Sequence, residues 1–185
     1  MPVQVDPLLP VHPLTVADLA RMVDAKIFAE DDRVELLDGV LVEMTPPGPA
    51  HSYALRELTA IITPVAVARG LRVAIQDSLD LGSPISLPQP DLAVVPVTSS
   101  DRHASDALLV VEIAHSSRRI DLGRKASIYA EGGVPEYWVL DVERRELVVH
   151  RKPVGGRYTS IHTLGEHETV APAAVDVTVP LVALL

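Results

Sequence analysis

The chain has no cysteine. That excludes disulfides, thiolate nucleophiles and cysteine-ligated zinc. It is also short of histidine-based metal motifs: no HExxH and no paired histidines occur in its sequence. GxGxxG and GxxxxGK[ST] are missing, so neither a dinucleotide fold nor a P-loop is expected, and no nucleotide cofactor. No G-x-S-x-G marks a nucleophile elbow, and Ser116-Ser117 carries no other sign of one. No apolar run reaches the roughly 18 residues of a membrane span. The opening MPVQVDPLLPVHPL has neither a basic segment nor a cleavable apolar core, so we expect no signal peptide and a cytoplasmic protein without membrane partners. Lysine is scarce, with Lys26, Lys125 and Lys152 standing among 16 basic residues. The single tryptophan, Trp138, lies on an apolar run and is expected in the core. Net charge is -9, which argues against a protein held to nucleic acid by bulk charge alone. The basic segment Arg118 to Lys125 still leaves room for a local patch.

What remains reads as a globular chain of 185 residues, 48% hydrophobic. We expect an extended arm over 1–13, which is rich in proline, and a single domain over 14–185. Thr15 is an N-cap for a helix from Val16 to about Ile27, with Asp18 placed as its capping-box acid. Val34–Leu37 and Val40–Met44 flank Asp38-Gly39 and predict a hairpin. An apolar stripe of Leu55, Leu58, Ile62 and Val65 predicts a helix from His51 to Ala68, which Pro64 should kink or end. Strands are expected at Leu71–Ile75, Ser78–Leu81 and from Asp91, with a surface loop over Val97–Ser105. A second hairpin is expected from Glu146–His150 and Tyr158–Thr163, turned at Gly155-Gly156. The apolar tail Val177–Leu185 is read as exposed and available for an interface. The order of elements predicts an α/β or mixed α+β fold: a central mixed sheet flanked by helices.

The most informative stretch is Ala107–Asp141, ALLVVEIAHSSRRIDLGRKASIYAEGGVPEYWVLD. Its opening apolar run suits a strand covered on both faces, interrupted only by Glu112. A buried carboxylate needs a metal, a base or a retained proton. A basic segment then leads into a crossover helix, stopped at Gly132-Gly133 and followed by a second buried strand. Asp91, after Pro90, opens another apolar strand. If the two strands pair, Asp91 and Glu112 converge as oxygen ligands for Mg²⁺ or Mn²⁺. Lys125, on the crossover helix, is the lysine nearest that site and could hold a nucleophile or the charge of a phosphorane. Asp121 shares its helix face, which also suits a surface ion pair. Glu35 interrupts the first hairpin strand much as Glu112 does, though simple alternation would point it to solvent. His51 stands at a helix start after a proline loop, where a cap or loop role is the plain reading.

Three strings together resemble a known family: RVELLDGVLVEMTPPGPAH, PDLAVV and LLVVEIAHSSRRIDLGRKASIYAEGGVPEYWVLD. They are similar to the Uma family of restriction-endonuclease-like proteins, within the PD-(D/E)XK nuclease superfamily, from about Leu14 to His150. The resemblance implies a restriction-endonuclease-like core and a Mg²⁺-dependent phosphodiesterase site. On it, Asp91 matches the motif aspartate, Glu112 the second acid and Glu35 the acid contributed by an early segment. The usual lysine position, two after Glu112, is Ala114 here. Lys125 matches a lysine moved to the following helix, and a long ammonium stem can reach the same point from there. His115-Ser116-Ser117 is a second departure from the pattern.

The reading is therefore a metal-dependent DNA endonuclease. Asp91, Glu112 and the carbonyl of Ile113 would ligate the metal, Lys125 would act on the nucleophile, and Glu35 would be an accessory acid. Arg118, Arg119, Arg124 and His51 would contact nucleic acid. A homodimer is expected by analogy, since cutting two backbones takes two sites. Two alternatives stay open: a non-catalytic nuclease-fold module for DNA binding or assembly, and a nuclease for RNA or structured DNA.

Overall fold

The computed structural model describes residues 11–29, 32–97, 103–115 and 117–185. Most of the expected arm, residues 1–10, lies outside them, as does Ser116. In chain order the elements are α1 (Val16–Asp24), β1 (Val34–Leu37), β2 (Val40–Glu43), α2 (Pro49–Ala68), β3 (Leu71–Ile75), β4 (Leu79–Asp80), β5 (Leu92–Pro96), β6 (Ala104–Ser105) and β7 (Leu109–Ala114). A crossover helix follows in three pieces: α3 (Arg118–Ile120), a π-helical turn (Asp121–Lys125) and α4 (Ala126–Glu131). The chain ends with β8 (Glu136–Asp141), β9 (Glu146–Val154), β10 (Arg157–Gly165), β11 (Thr169–Val170), β12 (Val179–Pro180) and a 3₁₀ turn (Leu181–Ala183).

The centre is a six-stranded mixed sheet in the order β10-β9-β8-β7-β5-β3. Only β7 and β8 run parallel in it, joined by the crossover helix, while the other neighbours are antiparallel. Strand β7 is buried along its whole length, as its unbroken apolar run demands. Period-two alternation divides its side chains between two cores. Leu109, Val111 and Ile113 pack with Ala54, Leu58, Ile62 and Ala66 of α2, and with Trp138 and Leu140 of β8. Val110 and Ala114 pack on the opposite face with Ala126, Tyr129 and Ala130 of α4. Glu112 has the same parity as Val110 and Ala114, so it enters the α4 face.

Local chemistry explains most boundaries. The Thr15 hydroxyl accepts from Asp18 N–H while the Asp18 carboxylate accepts from Thr15 N–H, and this capping box starts α1. The β1–β2 hairpin turns at Asp38 and Gly39, both at positive φ, as Asp-Gly allows. A side chain at Gly39 would also collide with the Pro13 side chain. That close approach lets Leu14 N–H bond to the Gly39 carbonyl at 2.9 Å and ties the chain's start to the hairpin.

Four expectations need correction. Helix α1 ends at Asp24 and not near Ile27. Pro64 does not end α2, which starts at Pro49 and runs to Ala68. Pro64 and Ala60 lie on the exposed side, where water can take the carbonyl that loses its N–H partner. Residues 104–105, read as loop, form β6, which pairs with β4 in parallel. The tail is no free surface: Val179, Leu181 and Leu184 are fully or almost fully buried in the α2-side core.

Glu136 fixes that tail. It is buried, and its Oε1 accepts from Trp138 Nε1 at 2.8 Å and from Arg151 Nη2 at 2.6 Å. Its Oε2 accepts from Ala173 N–H at 2.8 Å. A buried charge so fully paired is costly to break from one side. Glu136→Ala is therefore expected to lower unfolding free energy by about 3 kcal/mol or more, as read by chemical denaturation, with loosening of residues 171–185 in hydrogen exchange.

Candidate active site

The site begins where β5 stops short of its neighbour. The register that pairs Leu92 with Val111 would set Pro90 opposite Ile113. Proline has no N–H, so the ladder cannot continue there. The Asp91 carboxylate takes over, and its Oδ2 accepts Ile113 N–H at 2.8 Å. Ile113 N–H and C=O point the same way along a strand, so this carbonyl also faces the Asp91 side, with no backbone donor opposite it. Asp91 Oδ1 lies 2.9 Å from His51 Nε2 and accepts from Gln76 Nε2 at 3.3 Å. Burial alone would raise the Asp91 pKa, but His51, Ile113 N–H and Gln76 together bring it below the ordinary value. His51 Nδ1 is buried without a hydrogen-bond partner.

Glu112 lies across the cavity on the α4 face. Its Oε1 accepts from Lys125 Nζ at 3.0 Å and from the Tyr129 hydroxyl at 2.7 Å. Lys125 Nζ also contacts Glu35 Oε1 at 2.9 Å, and Glu35 Oε2 accepts Gln89 N–H at 3.1 Å. The π-helical turn matters here, because it carries both Asp121 and Lys125 into the interior. Such turns are rare and recur at functional positions. Asp121 is thus buried beside the lysine and not half of a surface pair. Its Oδ2 accepts from the Ser117 hydroxyl at 2.6 Å.

Four carboxylates therefore share one buried region with one ammonium. Burial, reinforced by Asp121, Asp91 and Glu35 and only partly relieved by Lys125, pushes the Glu112 pKa well up. Burial raises the Asp121 carboxyl from the ordinary 3.8 to about 6, against the pull of Lys125. Burial works against the Lys125 charge, but Glu112, Glu35 and Asp121 outweigh it and raise its pKa. Tyr129, enclosed and facing carboxylates, is also pushed up and stays a donor.

A cavity of about 500 Å³ is lined by Glu35, His51, Asp91, Glu112, Ile113 and Lys125 together. These are six of the nine residues given a metal, catalytic or nucleic-acid role from sequence. The other three stand apart from it. Arg118 is held by Asp141 at 2.6 Å and Glu146 at 2.8 Å. Arg124 pairs with Asp38, and Arg119 is exposed. Arg33 is the arginine on the cavity wall. Tyr129, Gln76 and Arg33 were not anticipated, nor was His51 as a partner of Asp91. Tyr129 had one usable signal: it lies one helical turn beyond Lys125 on the same face.

Among the described residues, no three His, Asp or Glu side chains form a group that could by themselves hold a metal ion. Two carboxylates and a strand carbonyl are nevertheless an all-oxygen set, and they suit Mg²⁺, which keeps several of its waters. The donors present fit such an ion.

A family profile described as "Uma2: Putative restriction endonuclease" matches residues 16–181. A crystal structure titled as a putative nuclease belonging to DUF820, from Anabaena variabilis ATCC 29413, superposes with a TM-score of 0.74. The likeness covers 93% of this chain and 97% of that one at 15% sequence identity, so it concerns the fold. No curated protein matches the chain.

The raised carboxyl of Asp121 has a measurable sign. Its folded pKa exceeds its unfolded one, so the folded state holds the extra proton between about pH 4 and 6. Stability from this group is present below that window and is lost as pH rises through it. Asp121→Asn should match the wild type in unfolding free energy near pH 4. It should exceed it by about 2 kcal/mol above pH 7, with the gain opening across the window.

Proposed function

The chain belongs to the Uma2 family of restriction-endonuclease-like proteins, and from that premise we propose that it is a divalent-metal-dependent endonuclease that hydrolyses DNA phosphodiester bonds. One observation carries the reading. Asp91, Glu112 and Lys125, from two neighbouring strands and the crossover helix, meet in one cavity with Glu35. The family and the nuclease fold give the reaction class, and the metal and the DNA substrate are our reading of the site.

Asp91, Glu112 and the Ile113 carbonyl would hold Mg²⁺ or Mn²⁺. When bound, such an ion lowers the pKa of an attacking water and offsets charge on the scissile phosphate. The rest is done by the chain. Ile113 N–H and Gln76 fix the orientation of Asp91. Tyr129 engages Glu112 Oε1, which leaves Oε2 free to ligate. An ammonium has three N–H donors. One is directed at Glu35, and the others can hold the nucleophilic water or a phosphate oxygen. Glu35 is the accessory acid that keeps this ammonium charged and in place.

Arg119 is exposed, and its contact to the phosphate backbone would break no ion pair found among the described residues. Arg118 and Arg124 would have to exchange carboxylates for phosphates. His51, on the cavity wall against Asp91, could reach only the nucleotide at the site itself. A homodimer would give one site per strand. A cytoplasmic setting agrees with the lack of cysteine, and among the described residues no helix is long and apolar enough to cross a membrane.

The test is cleavage of supercoiled plasmid by the purified chain, with single-stranded DNA, branched DNA and RNA in parallel. Cutting of duplex DNA is expected only with Mg²⁺ or Mn²⁺. Asp91→Ala and Glu112→Ala should each lower the rate by about two orders of magnitude or more. Unchanged cleavage in both variants would contradict the assignment. Cleavage confined to RNA or branched DNA would move the substrate and keep the chemistry.

A further inference from the structure

The cavity already contains a cation. Lys125 Nζ stands 2.9 Å from Glu35 Oε1 and 3.0 Å from Glu112 Oε1, with its side chain only 5% exposed. Glu112 is one of the two carboxylates that would hold a metal, whereas Asp91 is satisfied without the lysine, by Ile113 N–H, Gln76 and His51. The ammonium is thus the counter-ion of one proposed ligand and not of the other. A divalent ion between Asp91 and Glu112 would sit within a few ångströms of a like charge in a poorly solvated site, and the two repel strongly there.

The structure holds a place for the ammonium to go. Glu35 comes from the β1–β2 hairpin, and its second oxygen is fixed by Gln89 N–H at 3.1 Å. It touches Lys125 and makes no hydrogen bond to the Asp91 group. The lysine stem has four carbons and rotates freely enough to shift its head between two acceptors.

We propose that metal binding at this site is an exchange of cations: Lys125 is the resident counter-ion of Glu112, and a divalent ion displaces it onto Glu35 alone. Glu35 is then a positioning residue that receives the ammonium, and it does not touch the metal. This rests on the proposed metal-dependent reading and adds to it a role for each of the two residues. It also accounts for the placement of the lysine on the helix and not at Ala114. From the helix it reaches across the cavity to an acid on a separate hairpin.

The experiment is calorimetric titration of Mn²⁺ into the whole chain, as wild type, Lys125→Met and Glu35→Gln, with thermal unfolding in chelator and in Mn²⁺. Without its internal competitor, Lys125→Met should bind Mn²⁺ about tenfold more tightly than the wild type. It should also melt well below the wild type in chelator and recover most of that loss in Mn²⁺. Glu35→Gln should bind more weakly, because the ammonium has no second acceptor. If the wild type binds and Lys125→Met binds equally or less tightly, the exchange is wrong while the metal-dependent reading stands. If none of the folded proteins binds Mn²⁺, both fall.

Should Lys125→Met fail to fold, lysine labelling of the wild type decides. With three lysines in the chain, reductive methylation is read site by site by mass spectrometry. Lys152 is exposed and serves as the reference. Methylation of Lys125 relative to Lys152 should rise several-fold when Mn²⁺ replaces chelator. An unchanged ratio, in protein that binds the ion, would overturn the exchange.

Discussion

Charge balance inside the cavity is the constraint on which this structure turns. Glu35, Asp91, Glu112 and Asp121 are all buried, and Lys125 is the buried ammonium among them. A carboxylate withdrawn from water must find a counter-charge, a set of donors or a proton. The four acids use three different solutions. Asp91 uses three hydrogen-bonding groups, and its pKa falls. Glu35 and Glu112 share the ammonium. Asp121 has one hydroxyl and a raised pKa. A site arranged in this way is short of positive charge, and a divalent cation is the simplest supply. That shortage supports the metal in the proposed reading, whose premise is the family match.

The scaffold exists to hold these groups in register. Pro90 ends the β5 ladder at the place where β7 continues, so one edge of β7 is open to a ligand and Asp91 fills part of it. The parallel β7–β8 pair obliges the chain to cross over, and the crossover brings Lys125 and Tyr129 over Glu112. The hairpin adds Glu35, and its attachment is also specific. Leu36 forms a bridge with Leu87 and is fully buried, which sets its neighbour Glu35 towards the cavity. The core on the other face is closed by α2 and the C-terminal tail, and α2 also delivers His51 to the site.

How much of this was legible in the sequence depends on whether the signal was local. Glu112 was readable because a lone acid in a run such as LLVVEIA conflicts with its surroundings. Lys125 was readable because lysine is so scarce. Asp91 and Glu35 needed the family resemblance as well, since either could have been a turn or a solvent-facing residue. The roles of Gln76, Tyr129 and His51 were not readable, because each depends on which segments meet in space. The tail failed for the same reason. Its apolar residues have weak periodicity, and only the sheet face beneath them shows that they are core. Pro64 does not end α2, because it lies on the exposed side, where water can take the carbonyl left without an N–H partner.

The most direct test of the account is a crystal structure of the chain grown with Mn²⁺, with the anomalous signal used to locate the ion. A peak bridging Asp91 and Glu112, with Lys125 Nζ withdrawn from Glu112 and still on Glu35, is the expected result. A Mn²⁺ ion bound away from both acids, or a cavity in which Lys125 keeps its contact to Glu112 at saturating Mn²⁺, would contradict it.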